Sequence, residues 1–169
     1  MPIYVAFLRA VNVGGTGKLP MAELRAMCES IGLADVRTYI ASGNVFFQSR
    51  LSEASVKAKL ERCLEDYAGK PVGVLVRTGA ELAAVLESNP FKSAAPNRTV
   101  AVFLDTPPPA DALAAVSGRQ AEDIALGVRE IYVHYGDGMA HSKLKIPVAR
   151  TGTARNMNTI ATLVAWANE

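Results

Sequence analysis

Ile3 to Leu8 reads IYVAFL, apolar at all six positions. A strand with one face in water alternates apolar and polar residues, so an unbroken apolar run predicts a strand covered on both sides. Such a strand is central. It obliges the chain to supply neighbouring strands at both edges and cover on both faces. The run ends at Arg9, and Asn12-Val13-Gly14-Gly15-Thr16-Gly17-Lys18 leads to Pro20, which opens a helix where its missing N–H costs nothing.

That helix is predicted to reach about Ile31, with Leu24, Met27, Cys28 and Ile31 on one side and Gly32 as its C-cap. Val36 to Ala41 and Val45 to Gln48 are β-rich runs around Ser42-Gly43-Asn44, and Gly-Asn predicts a two-residue hairpin turn. Ser52 is placed to cap a second helix through Val56, Leu60, Cys63, Leu64 and Tyr67, closed by Gly69. Pro71 to Arg77 then reads as a strand. The order βαββαβ is that of the ferredoxin-like split βαβ unit.

A short helix from Gly79 to about Leu86 stops at Asn89-Pro90. Beyond it lie a strand (Thr99 to Leu104), a stiff Pro107-Pro108-Pro109 turn, a short helix (Ala110 to Val116) and an antiparallel pair (Ala121 to Leu126, Glu130 to His134) turning near Gly127. An irregular basic stretch and a last helix from about Ala154 to Asn168 complete the chain. From Thr99 the order is βαββα. The expected fold is therefore α+β, with two ferredoxin-like (βαββαβ-type) halves built on antiparallel or mixed sheets. The expected divisions are a ferredoxin-like half over 1–77, a helical connector over 78–98 and a second half over 99–169. One larger mixed sheet is the competing arrangement.

The 169 residues suffice to bury a sizeable core as one domain or two small ones. The short apolar run at the start has no basic region before it and no small-residue cleavage signature, and nothing approaches a membrane-spanning run, so a cytoplasmic protein without membrane contact is expected. Cys28 and Cys63 fall among helical apolar positions and read as reduced thiols. No cofactor is indicated. Net charge is only +2, but Met1 to Ala22 holds Arg9 and Lys18 with no acid, and Gly138 to Asn168 holds Lys143, Lys145, Arg150 and Arg155 with no acid. If those ends meet, they form a positive face suited to anionic partners.

The glycine segment fails the phosphate-loop pattern, since Asn12 stands where the first Gly is required and Leu19 where the Ser or Thr hydroxyl is required. It also fails the dinucleotide fingerprint at Pro20. What remains is a loop carrying Lys18 into a helix N-terminus, a place where anions bind. At the other end, Thr153 would cap the last helix, which puts Arg155 in its first turn, facing the positive end of the dipole. That placement is unfavourable unless an anion or acidic side chain lies between. With Arg150, Thr151, Thr153, Asn156 and the backbone N–H groups it makes a pocket for an oxyanion or phosphate; a solvated Arg155, or one paired with Asp137 or Glu130, is the alternative. His134 and His141 lack carboxylates at metal-site spacing, so no metal site is expected. Glu122-Asp123 reads as solvated charge. Asn44-Val45-Phe46-Phe47-Gln48 has aromatics but lacks the signature by which an RNA-recognition strand stacks bases.

The residues Tyr4-Val5-Ala6-Phe7-Leu8-Arg9-Ala10-Val11-Asn12-Val13-Gly14-Gly15, Leu19-Pro20-Met21, Val36 to Phe47, and Thr153-Ala154-Arg155-Asn156-Met157-Asn158-Thr159 resemble the motifs of a bacterial family known as domain of unknown function 1697. The chain departs from that pattern at Ala10, in place of Gly, and at Met157, in place of Trp. The resemblance implies an α+β fold with ferredoxin-like halves and a cytoplasmic location, and implies no activity.

The motif residues coincide with those singled out on physical grounds. A polar site is therefore expected from Arg9, Asn12, Gly14, Gly15, Lys18, Ser42, Asn44, Arg150, Arg155, Asn156 and Asn158. Its expected ligand is a phosphate-bearing anion, either a nucleotide or nucleic acid. An enzyme acting on a phosphate ester at the same face, and a structural or oligomerisation module, are the alternatives; catalytic residues are not assigned.

Overall fold

The computed structural model of the chain describes residues 1–9, 19–40, 43–136 and 142–169. These form two compact units, residues 1–82 with Glu169 and residues 83–168. Each is built on a four-stranded antiparallel sheet, and the fold is α+β.

The first unit runs β1 (Ile3–Leu8), α1 (Met21–Ser30), β2 (Ala34–Tyr39), β3 (Asn44–Gln48), α2 (Glu53–Ala68) and β4 (Val74–Thr78), with strand order β2-β3-β1-β4. The all-apolar β1 is central as its pattern requires, pairing Val5 with Phe46 on one side and with Arg77 on the other. One face of the sheet, including Tyr4, Ala6, Leu8, Val45 and Phe47, packs on Leu24 and Cys28 of α1 and on Val56, Leu60 and Leu64 of α2. The opposite face, with Val5, Phe7, Phe46, Leu75 and Arg77, is equally buried. Ser52 caps α2 by accepting the Ser55 N–H at 3.2 Å, and Gly69 closes it in the left-handed conformation.

The hairpin between β2 and β3 corrects the expected turn. Tyr39 and Asn44 are register partners, so the connection spans residues 40–43 and Asn44 belongs to the strand. A longer loop leaves Asn44 no need for positive φ; its side-chain Nδ2 instead donates to the Tyr39 carbonyl at 2.9 Å and ties the loop base.

The division between units falls within α3 (Gly79–Glu87). The second unit contains β5 (Thr99–Phe103), β6 (Asp123–Leu126), β7 (Glu130–His134), β8 (Thr153–Asn156) and α4 (Met157–Ala167), with strand order β6-β7-β5-β8. Two expectations change here. The helix predicted over Ala110 to Val116 is a four-residue 3-10 turn, Ala112–Ala115. The last helix begins three residues later than predicted, because Thr153–Asn156 pair with β5 from Phe103 to Val100. The unpaired edge of β5 offers four residues of ladder, and that long-range pairing overrides the weak local helix preference. One face of this sheet, Val100, Val102, Ile131 and Val133, packs against irregular segments through Val116, Leu144, Ile146 and Val148. No helix among the described residues is long and apolar enough to cross a membrane.

Candidate functional site

β1 ends between two glycines. The Leu8 N–H donates to the Gly43 carbonyl at 2.9 Å, and the Arg9 N–H donates to the Gly73 carbonyl at 2.9 Å. Gly43 closes the loop before β3 and Gly73 immediately precedes β4, so the end of the central strand is held from both flanks. Arg9 is half-buried there. Its side chain lies across Gly73, where a Cβ would stand 2.9 Å from Arg9 Cδ. Asn44 is fully buried beneath this end, opposite Phe7, with its amide committed to the Tyr39 carbonyl. Asn12, Gly14, Gly15, Lys18 and Ser42 lie outside the described residues.

The other expected site residues belong to the second unit. Arg150 is exposed in the 3-10 turn Pro147–Thr151. Arg155 is not in the first turn of the last helix, so the expected unfavourable contact with its dipole is not made there. It stands in β8, 7% exposed, and its guanidinium donates to Thr153 Oγ1 at 2.8 Å and to the Ala154 carbonyl at 2.9 Å. Burial pushes its pKa down to about 10, so the group stays protonated near neutrality. Asn156, and not Thr153, is the N-cap of α4, and its Oδ1 accepts the Thr159 N–H at 2.9 Å. Asn158 is exposed in that first turn, and its carbonyl accepts the Thr162 hydroxyl at 3.1 Å.

Several features go beyond what sequence spacing shows. Glu122, expected in solvent, is 6% exposed. Its carboxylate accepts the Gln120 N–H at 2.6 Å and the Ser142 hydroxyl at 2.7 Å. These bonds, the Gln120 N–H foremost, hold its pKa below the usual carboxylate range. Ser142 opens the basic stretch, and the Ser117–Lys145 backbone bridge fixes it further on. Gly73 falls inside the expected strand Pro71 to Arg77, and a glycine within a strand is a sequence sign of close approach by another group. Phe46 and Phe47 are both buried, at 5% and 0%, so neither ring is available to stack a base. His134 Nδ1 lies 3.1 Å from Thr99 Oγ1, which gives that histidine a structural setting.

The fold is similar to that of a conserved bacterial protein, SP0830 from Streptococcus pneumoniae, with a TM-score of 0.78 and 26% identity over 97% of each chain. No curated protein matches the chain. A family model matches residues 1–132, and the chain accordingly belongs to the family described as Protein of unknown function (DUF1697).

Proposed function

We propose that this protein binds a phosphate-bearing ligand, a nucleotide or the backbone of a nucleic acid, at the end of β1. The observation that carries the reading is the placement of Arg9. A guanidinium whose backbone is bonded to Gly73 and whose stem lies across that glycine has lost much of the freedom that weakens a surface arginine as an anion receptor. In sequence Arg9 is followed by Asn12, Gly14, Gly15 and Lys18, a second cation, an amide and two glycines, residue types that anion sites use. Arg155 is better read as a structural cation than as a ligand contact, since its donors are turned to Thr153 and Ala154.

The test is a thermal-shift and calorimetric comparison of wild type and Arg9→Ala with three probes: inorganic phosphate, ATP and a short single-stranded oligonucleotide. A ligand that binds only the folded state raises the melting point by mass action. At least one probe is expected to stabilise wild type and to lose about tenfold or more in affinity with Arg9→Ala. An oligonucleotide held through its backbone loses affinity steeply as salt rises, whereas ATP held at one phosphate group loses less. Wild type that responds to none of the three overturns the reading.

A further inference from the structure

Gly73 lies directly against the side chain of Arg9, the residue on which the anion-site reading rests. A Cβ at position 73 would lie 2.9 Å from Arg9 Cδ, 3.4 Å from Cγ and 3.6 Å from one guanidinium nitrogen. The first distance is below any ordinary contact, so a side chain there and the present path of Arg9 exclude one another. The backbone of this corner cannot give way easily. The Gly73 carbonyl accepts the Arg9 N–H, and Val74 is gripped from the other side by α2, where Lys57 Nζ donates to its carbonyl and Glu61 Oε2 accepts its N–H at 3.4 Å. Lys57 and Glu61 are themselves paired at 3.3 Å. Gly73 is not among the glycines with positive φ, so alanine is compatible with its backbone. What must move on substitution is the Arg9 side chain.

We propose that Gly73 is a positioning residue of the anion site: its bare Cα is the bed on which the Arg9 stem lies, fixing the guanidinium where the phosphate is met. A guanidinium binds phosphate through a rigid two-pronged fork, so its orientation matters as much as its charge. A swung-out arginine keeps the charge and loses the geometry.

The experiment is a double-mutant cycle on the full chain with Gly73→Ala, Arg9→Ala and the pair, read by calorimetry with whichever of phosphate, ATP or oligonucleotide binds wild type. Gly73→Ala is expected to weaken binding about tenfold while its melting point stays close to wild type, and the double variant to bind no more weakly than Arg9→Ala alone. The Arg9 Nε–H signal in NMR is expected to change from an ordered to a mobile side chain in Gly73→Ala, a readout that a general loss of stability would not confine to one arginine. Penalties that add, undiminished affinity in Gly73→Ala, or an Arg9 Nε–H equally ordered in both proteins each overturn the inference and leave the anion site standing. Wild type that binds none of the probes overturns the anion-site reading and this inference with it.

Discussion

Arg77 in β4 and Arg155 in β8 hold the same position in two separate sheets. Arg77 is the register partner of Val5 in β1, whose other neighbour is Phe46; Arg155 is the partner of Ala101 in β5, whose other neighbour is Tyr132. Each guanidinium donates to the carbonyl of the preceding residue at 2.9 Å. The correspondence extends along the row below, where Asn44, Phe7 and Leu75 match Glu130, Phe103 and Thr153. It continues one residue on, where the Leu8 N–H meets the Gly43 carbonyl and the Leu104 N–H meets the Arg129 carbonyl. The two sheets are therefore versions of one plan, with helices on one face of the first and irregular segments on the matching face of the second.

Burial of Arg155 sets two terms against each other. Its stem fills core volume, while its desolvated charge opposes folding, a penalty complete below about pH 10 and relieved as pH rises toward the ordinary range of an arginine. Arg155→Ala is expected to lower stability by about 2–4 kcal/mol, because a cavity opens and Thr153 loses its donor. Arg155→Met keeps the volume without the charge and is expected to cost less than about 1.5 kcal/mol. Urea unfolding of the two variants measures the difference; a Met variant no better than Ala would mean the polar contacts outweigh the packing.

Glu122 ties stability to acid. Because its carboxylate pKa is depressed in the folded chain, the stabilisation is present above the ordinary value of 4.5 and is lost as pH falls through the folded value. Glu122→Gln is expected to be less stable than wild type at neutral pH, with the gap narrowing as pH drops to about 3. Urea midpoints across that range check it, and a gap independent of pH would remove the carboxylate from the account.

Asn156 caps α4, so its loss reads as helix stability. Asn156→Ala is expected to cost about 1 kcal/mol and Asn156→Asp to retain most of the cap, as an acceptor at the positive end of the helix. Hydrogen exchange of the Thr159 amide locates the effect. Protection of that amide unchanged in the Ala variant would disprove the cap.

The two thiols should differ in reactivity. Cys28 is fully buried and its thiol is pushed up to about 12, by burial first and then by Cys63 and Glu29; Cys63 is half-buried and raised by burial and by Asp66. A disulfide reagent is expected to label Cys63 at least about tenfold faster than Cys28 in the native protein, and both alike in urea. Equal native rates would show that α1 opens readily.

Local chemistry in the sequence determined α1, α2 and α3, the approximate strands other than β8, and the central place of β1. An unbroken apolar run, a Ser cap at position 52 and a Gly stop at position 69 each act within one or two turns of chain and need no distant partner. The repeat of one plan was legible for the same reason, since strand periodicity survives low identity. Only tertiary structure decided where β8 ends and α4 begins, because the open edge of β5 outcompetes a local helix preference. That same edge carries Arg155 inward and leaves Asn156 as the cap. The burial of Asn44 opposite Phe7 and the meeting of Arg9 with Gly73 likewise follow from contacts between residues far apart in the chain, whose pairing depends on sheet register and not on sequence spacing, while Glu122 joins its near neighbour Gln120 to the more distant Ser142.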